Sequence, residues 1–291
     1  MRLHRSRAMG LLLAVAGALG LLGPLPARAQ APAGLIPFSE PADSGSIEID
    51  LGSRYTGPGI LTVGRLGTKK QVVLPAGDWV VLAAFDYRIS DADMSALALG
   101  RFDGNQLRSV LRFVFNRNVT PVQNWAEFDA CAREDAQALL QTANLASATR
   151  NDCQRVKAHA AAALNAGHDG PLIQQSLQRL GAQVPAGPVI VSTQVLAERR
   201  YGMLQVQRTD WLAPVLGAQA GQPGDWRADA LPAAPERARY AKALLDWGQR
   251  YRQATMAGFE RRHRDDDLEA GRPPARDAAL LALGDFEPLS R

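Results

Sequence analysis

Between residues 71 and 115 the apolar side chains recur with a period of two, and that period commits a chain to extended strands paired in a sheet. Two hairpins are predicted there. In the first, residues 71–74 lead into Pro75-Ala76-Gly77-Asp78, a turn-forming run, and a strand resumes over 79–85. Trp79, Val81, Ala83 and Phe85 fall on one face of it and Val80, Leu82 and Ala84 on the other, so the strand is expected in the middle of a sheet. In the second, residues 96–102 meet 105–115 across Asp103-Gly104, a pair suited to the left-handed backbone angles of a tight hairpin turn. Leu107, Leu111, Phe113 and Phe115 are expected on the buried face of that strand and Arg108 and Arg112 on a solvated one. Ile47, Ile49 and Leu51 alternate with Glu48 and Asp50 and predict an earlier strand from Ser46, followed by a short β-rich run over 60–63.

From Pro121 the pattern turns helical. Asn124 with Glu127 has the spacing of a capping box, and Phe128, Cys131, Ala132, Ala136, Leu139 and Leu140 recur on one helical face. Asp152 is placed to cap a second helix over 153–166, stopped by Gly167. Asp169-Gly170-Pro171 opens a third, ended by Gly181. Residues 189–191 and 203–209 predict strands, with 194–200 ambiguous between them. A Gly- and Pro-rich loop over 217–235 leads into a long amphipathic helix, 236–260, whose Tyr240, Leu244, Trp247, Tyr251, Thr255 and Phe259 recur every three or four residues. The expected fold class is α+β: a largely antiparallel sheet with a helical middle segment and a long C-terminal amphipathic helix.

The ends set the organisation. Residues 1–29 carry Arg2, His4, Arg5 and Arg7 without an acid, then an apolar run over 9–23, then Pro24, Pro26 and Ala27-Arg28-Ala29. A cationic start, an apolar core and a small-x-small site in that order predict a cleavable export signal with the mature chain starting near Gln30. The apolar run is shorter than the roughly 20 residues of a spanning helix. A flexible lead-in over 30–45, one α+β domain over 46–264 and a partly disordered tail over 265–291 are expected after it. The expected location is periplasmic or secreted, with no membrane span after cleavage.

Export also alters the charge. The chain holds 33 basic and 29 acidic residues. Four of the arginines lie in the signal segment, so the remainder carries 29 of each sign. A net charge of zero argues against nucleic acid as a partner, which would require a cationic excess. A protein or a small molecule is the expected ligand.

Cys131 and Cys153 are the only cysteines, and an even count in an oxidising compartment predicts a structural disulfide between them. No catalytic, cofactor-binding or metal-binding residues are assigned. Past the signal the histidines are His159, His168 and His263, without metal-binding spacing, and Asp265-Asp266-Asp267 follow arginines as a solvated charge cluster. Gly-x-Ser-x-Gly is absent, and the glycine-rich stretches over 57–59 and 64–67 lack the lysine of a phosphate loop. His159, His168 and Asp169 are the residues on which a hydrolase would have to rest, although Asp169 is read first as a helix cap. Trp79, Trp125 and Trp247 are read as packing residues, and Trp226 as an indole tucked onto the domain.

Leu74-Pro75-Ala76-Gly77-Asp78-Trp79 ahead of a β-run, the Cys131/Cys153 pair and a late helix ending in Gly258-Phe259 together resemble an uncharacterised group of exported proteobacterial proteins. That resemblance implies an exported compartment and no particular activity. The expectation is a non-catalytic binding or envelope-accessory module, with a periplasmic hydrolase as the alternative.

Overall fold

A computed structural model describes residues 36–37, 49–63, 70–89, 92–117, 135–147, 150–162, 169–198, 202–260, 283 and 286. All of them belong to the compact unit Ala31–Arg291. The strands are β1 (Ile36–Pro37), β2 (Arg54–Val63), β3 (Lys70–Ile89), β4 (Ala92–Asp103), β5 (Gln106–Asn116), β6 (Ala138–Ser147), β7 (Arg150–Ala160), β8 (Pro188–Glu198) and β9 (Gly202–Trp211). The helices are α1 (Gly170–Arg179), the single turn α2 (Ala213–Leu216) and α3 (Pro235–Phe259). Among the described residues the strands make one nine-stranded sheet in the order β1-β3-β4-β5-β9-β8-β7-β6, with β2 also on β3. Every named strand pair is antiparallel.

Two meanders lie side by side in this order. Strands β2 to β5 form one and β6 to β9 the other, and they join where β5 pairs with β9, Leu111 opposite Arg208. The sheet is apolar on both faces. One core holds Trp79, Val81, Leu111, Phe113, Leu204 and Val206 together with the buried side of α3. The other holds Phe85, Met94, Val110 and Trp211 under Ile173 and Leu177 of α1.

The first hairpin is replaced by a continuous strand. Pro75-Ala76-Gly77 does not turn the chain; it is a bulge inside the 20-residue β3. Its counterpart is Gly57-Pro58-Gly59 of β2, where the register jumps from Gly57 opposite Gly77 to Gly59 opposite Leu74. The two irregular runs need each other. A Cβ on Gly57 would sit 1.9 Å from the Pro75 carbonyl oxygen, so only glycine allows that approach. Trp79 closes the bulge by donating its indole N–H to the same oxygen at 2.9 Å. A second bulge, between Val81 and Ala83, reverses the faces of the remainder of β3. Trp79 and Val81 therefore join the core under α3, whereas Ala83 and Phe85 join the core under α1. The second hairpin forms as expected, with Gly104 at φ 58° in the turn. Strand β5 buries both faces, because Val110 and Val114 pack beneath α1.

The middle segment is mostly sheet. Residues 138–147 and 150–160 are strands where two helices were expected, and only the third helix, α1, is present among the described residues. In β7, Asp152, Gln154, Val156 and Ala158 are buried in alternation on one face. That period of two is a strand's, although arginine, lysine, glutamine and alanine all favour helix; pairing with β8 along the whole of β7 outweighs the local preference. Residues 194–198 complete β8. The expected strand at 46–51 is also absent from 49 onward: Gly52 takes φ 85°, and the strand starts at Arg54. The first expected helix start, with Asn124, Glu127 and Cys131, lies outside the described residues, as do His168, His263, Trp125 and Asp265-Asp266-Asp267.

Helix α3 has the expected periodicity. Tyr240, Leu244, Trp247, Tyr251, Thr255 and Phe259 are all buried, and Pro235 occupies the first turn, where its missing N–H is harmless. The helix packs on both β3 and β8 and so spans the two meanders. Tyr251 fixes it by donating its hydroxyl to Val73 O at 2.9 Å. No helix among the described residues is long and apolar enough to cross a membrane.

Candidate functional site

Strands β7, β8 and β9 turn their even-numbered residues toward α3, and this face carries an unusual stripe. Apolar Val156, Ile190, Leu196 and Val206 alternate with Asp152, Gln154, Ser192, Gln194, Arg208 and Asp210. Cross-strand register aligns the polar groups: Gln154 faces Gln194, and Ser192 faces Arg208. The stripe is roofed by α3, where burial of polar groups is costly unless they find partners.

Most of them do. The Arg208 guanidinium, 3% exposed, donates through Nε to both Asp210 carboxylate oxygens, at 3.0 and 2.9 Å, and through Nη2 to Oδ1 at 2.9 Å. This fork is possible because residues two apart on a strand share a face. Its Cζ lies 4.5 Å from the Trp247 ring centroid and 5.2 Å from that of Phe286, within cation–π range. Trp247 in turn stacks on Tyr251, with centroids 4.9 Å apart. Burial pushes the Tyr251 hydroxyl well above its usual titration range, against the smaller opposing effects of Arg208 and the Thr255 hydrogen bond, so it stays a neutral donor. At the margin of the stripe Arg252 of α3 donates to Asp152 at 2.5 Å and ties the helix to β7.

The fork with Asp210 does not use Arg208 Nη1, and two further donors lie beside it. Gln194 Nε2 and Trp247 Nε1 are buried and have no hydrogen-bond partner among the described residues. Each such group costs about 1–3 kcal/mol when nothing accepts from it. Both residues line a narrow hollow of about 10 Å³ between α3 and the sheet, together with Gln154, Ser192, Arg208 and Gly248. The volume matches a single water-sized group. Gly248 leaves the helix without a side chain over this spot; a Cβ there would come no nearer than 3.5 Å to Gln154 Nε2.

Of the residues named from sequence as hydrolase candidates, His159 and Asp169 do not line this hollow, and His168 lies outside the described residues. His159 lies on β7 opposite Val189, and its face is the one away from the stripe. Burial depresses its pKa, with Lys157 and Arg155 adding to that and Asp135 opposing it. Asp169 makes no side-chain cap for α1; its buried carboxylate pairs instead with Arg112 of β5. Arg112 therefore has a fixed acidic partner rather than a solvated face. Trp79 and Trp247 are buried as expected, and Trp226 is tucked in, donating to Ala220 O at 2.8 Å and packing edge-on against Tyr240. Cys153 is buried on β7 opposite Ala143 and Val195, in a strand and not at a helix start. No cysteine among the described residues is free, and Cys131 lies outside them. The described residues contain no cluster of metal-ligating side chains.

Sequence reasoning missed this site, although one signal was present. Leu204, Val206, Arg208 and Asp210 occupy consecutive positions on one strand face, so an apolar stripe runs directly into an ion pair. No family model, no curated protein and no solved structure matches the chain.

Proposed function

We propose that the chain is an exported, non-catalytic binding module of the periplasm or the cell exterior, and that it holds its ligand in the hollow beneath α3. The buried polar stripe carries this reading. A core selected for stability alone does better with apolar residues than with a buried ion pair and unsatisfied amides. Polar groups retained in such a place are the usual means by which a largely apolar site orients what it binds. The signal-like segment over 1–29 and the balanced charge of the remainder support export and argue against nucleic acid. A structural disulfide between Cys131 and Cys153 belongs to the same proposal, supported by the burial of Cys153.

The pairing of Asp169 with Arg112 supports this reading over the hydrolase alternative. Both readings are tested on protein recovered from the periplasm. N-terminal sequencing is expected to begin near Gln30, and an intact Met1 would refute export by cleavage. The same material is assayed against ester, amide and phosphate-ester substrates, beside His159→Ala. No turnover above background is expected. Hydrolysis by the parent that disappears in His159→Ala would overturn the non-catalytic reading.

A further inference from the structure

The hollow beneath α3 is lined by two neutral buried donors and by Arg208, whose fork with Asp210 leaves Nη1 out. Gln194 is 5% exposed and Trp247 3% exposed, and the Nε2 of one and the Nε1 of the other lack an acceptor among the described residues. Both surplus groups are donors. The cation on the wall, Arg208, already shares a carboxylate with Asp210 in a three-bond fork, so the pair adds no net charge. An anion entering here would lose its water shell and meet a compensated guanidinium beside the Asp210 carboxylate. A neutral acceptor meets neither cost.

We propose that the hollow binds a neutral ligand through a carbonyl oxygen, of the amide, urea or ketone class, and that this oxygen accepts hydrogen bonds from Gln194 Nε2 and Trp247 Nε1. This rests on the reading of the hollow as the binding region and adds the ligand's chemistry. Size points the same way. A space of about 10 Å³ takes one oxygen and its attachment and no more, so the carbonyl forms the inserted tip of the ligand. Gly248 lines this spot and puts no side chain into it. Ligand specificity then rests on the two neutral donors, beside an Arg208 whose charge Asp210 offsets.

The tryptophans supply the readout. Trp79 and Trp226 donate to protein oxygens, and Trp211 belongs to the core on the opposite face of the sheet. Protein isolated after export and labelled with ¹⁵N at its indoles is titrated with N-methylacetamide and, separately, with acetate, an anion of similar size. A saturable movement of the Trp247 indole N–H with N-methylacetamide is expected, with the other four resonances, that of Trp125 included, still and acetate without effect. Gln194→Met removes one donor and should weaken N-methylacetamide about fivefold. Gly248→Leu, which fills the hollow from the helix side, should abolish the movement, and it carries the test if Gln194→Met does not fold. Acetate binding as well as or better than the amide would overturn the neutral-carbonyl assignment while leaving the hollow a binding site. If neither probe moves Trp247, or all five indoles move together, both this inference and the reading beneath it are refuted.

Discussion

Gly258 tests whether α3 is seated where the site requires. The helix ends against the first half of β3, and a Cβ placed on Gly258 would lie 2.1 Å from the Gln71 carbonyl oxygen and 3.2 Å from its carbon. Ordinary contact begins near 3.4 Å, so Gly258→Ala demands a retreat of about 1.3 Å from a backbone atom that cannot swing aside. Two effects oppose each other. Alanine favours helix over glycine by about 1 kcal/mol. Against it stand overpacking, at about 1–3 kcal/mol or more, and stretching of the Tyr251–Val73 hydrogen bond, which contributes about 1 kcal/mol. The clash wins, and a net loss of roughly 1–3 kcal/mol is expected, read as a fall in Tm of about 3–10 °C. Thermal and urea unfolding of the unreduced protein measure it. Gly224→Ala is the control, since nothing lies within 4 Å of the Cβ it would add, and it should shift stability by less than about 0.5 kcal/mol. A neutral or stabilising Gly258→Ala would refute the seating of the helix end on β3.

Three further outcomes are expected. Lys70 is fully buried, donates to Asn116 Oδ1 at 2.9 Å, and has its pKa lowered by burial to about 7. Between that value and its ordinary pKa of 10.5 the unfolded chain holds a proton that the folded one has released, so stability should rise with pH across this window and level off below it. Urea unfolding of Lys70→Met against pH should show a flatter curve there; an unchanged slope would refute the assignment. Asp169→Asn leaves the Arg112 guanidinium beside a neutral amide under α1, and a loss of about 3 kcal/mol is expected in chemical unfolding, whereas a loss below about 0.5 kcal/mol would show the pair to be unimportant. Thiol titration of the denatured, unreduced protein should find no free thiol, and two free thiols would exclude the Cys131–Cys153 bond.

The second hairpin and α3 were legible because each is specified locally. Asp103-Gly104 sets its own turn, and the apolar spacing of 240–259 has one period from end to end. The bulge at Pro75-Ala76-Gly77 was not legible, because those residues are turn formers by themselves and become a bulge only opposite Gly57-Pro58-Gly59. The same holds for β7. Its residues prefer helix in isolation, and its strand state is imposed by neighbours on both sides. The site depends on the same non-local pairing. Gln154 and Gln194 look like two unrelated polar residues until β7 and β8 put them face to face. Arg208 and Asp210 were adjacent in the pattern, but only the helix above them makes their burial visible.

The seam between β5 and β9 bears on how the chain folds. The other strand pairs within a meander close short loops and β7–β8 one that carries α1, whereas the seam joins residues such as Arg112 and Gln207, which are 95 apart in sequence. Closing a loop of that length costs about 3 kcal/mol more in chain entropy than closing a three-residue turn. The two halves can therefore gather as local hairpins while the seam waits, a division that slows folding in sheets of high contact order. What repays the late step is α3, the last long element among the described residues and one that touches both β3 and β8. Until it docks, the apolar face of each meander and the polar stripe of the second lie open to solvent, so the helix that roofs the hollow is also what turns two local folding units into one.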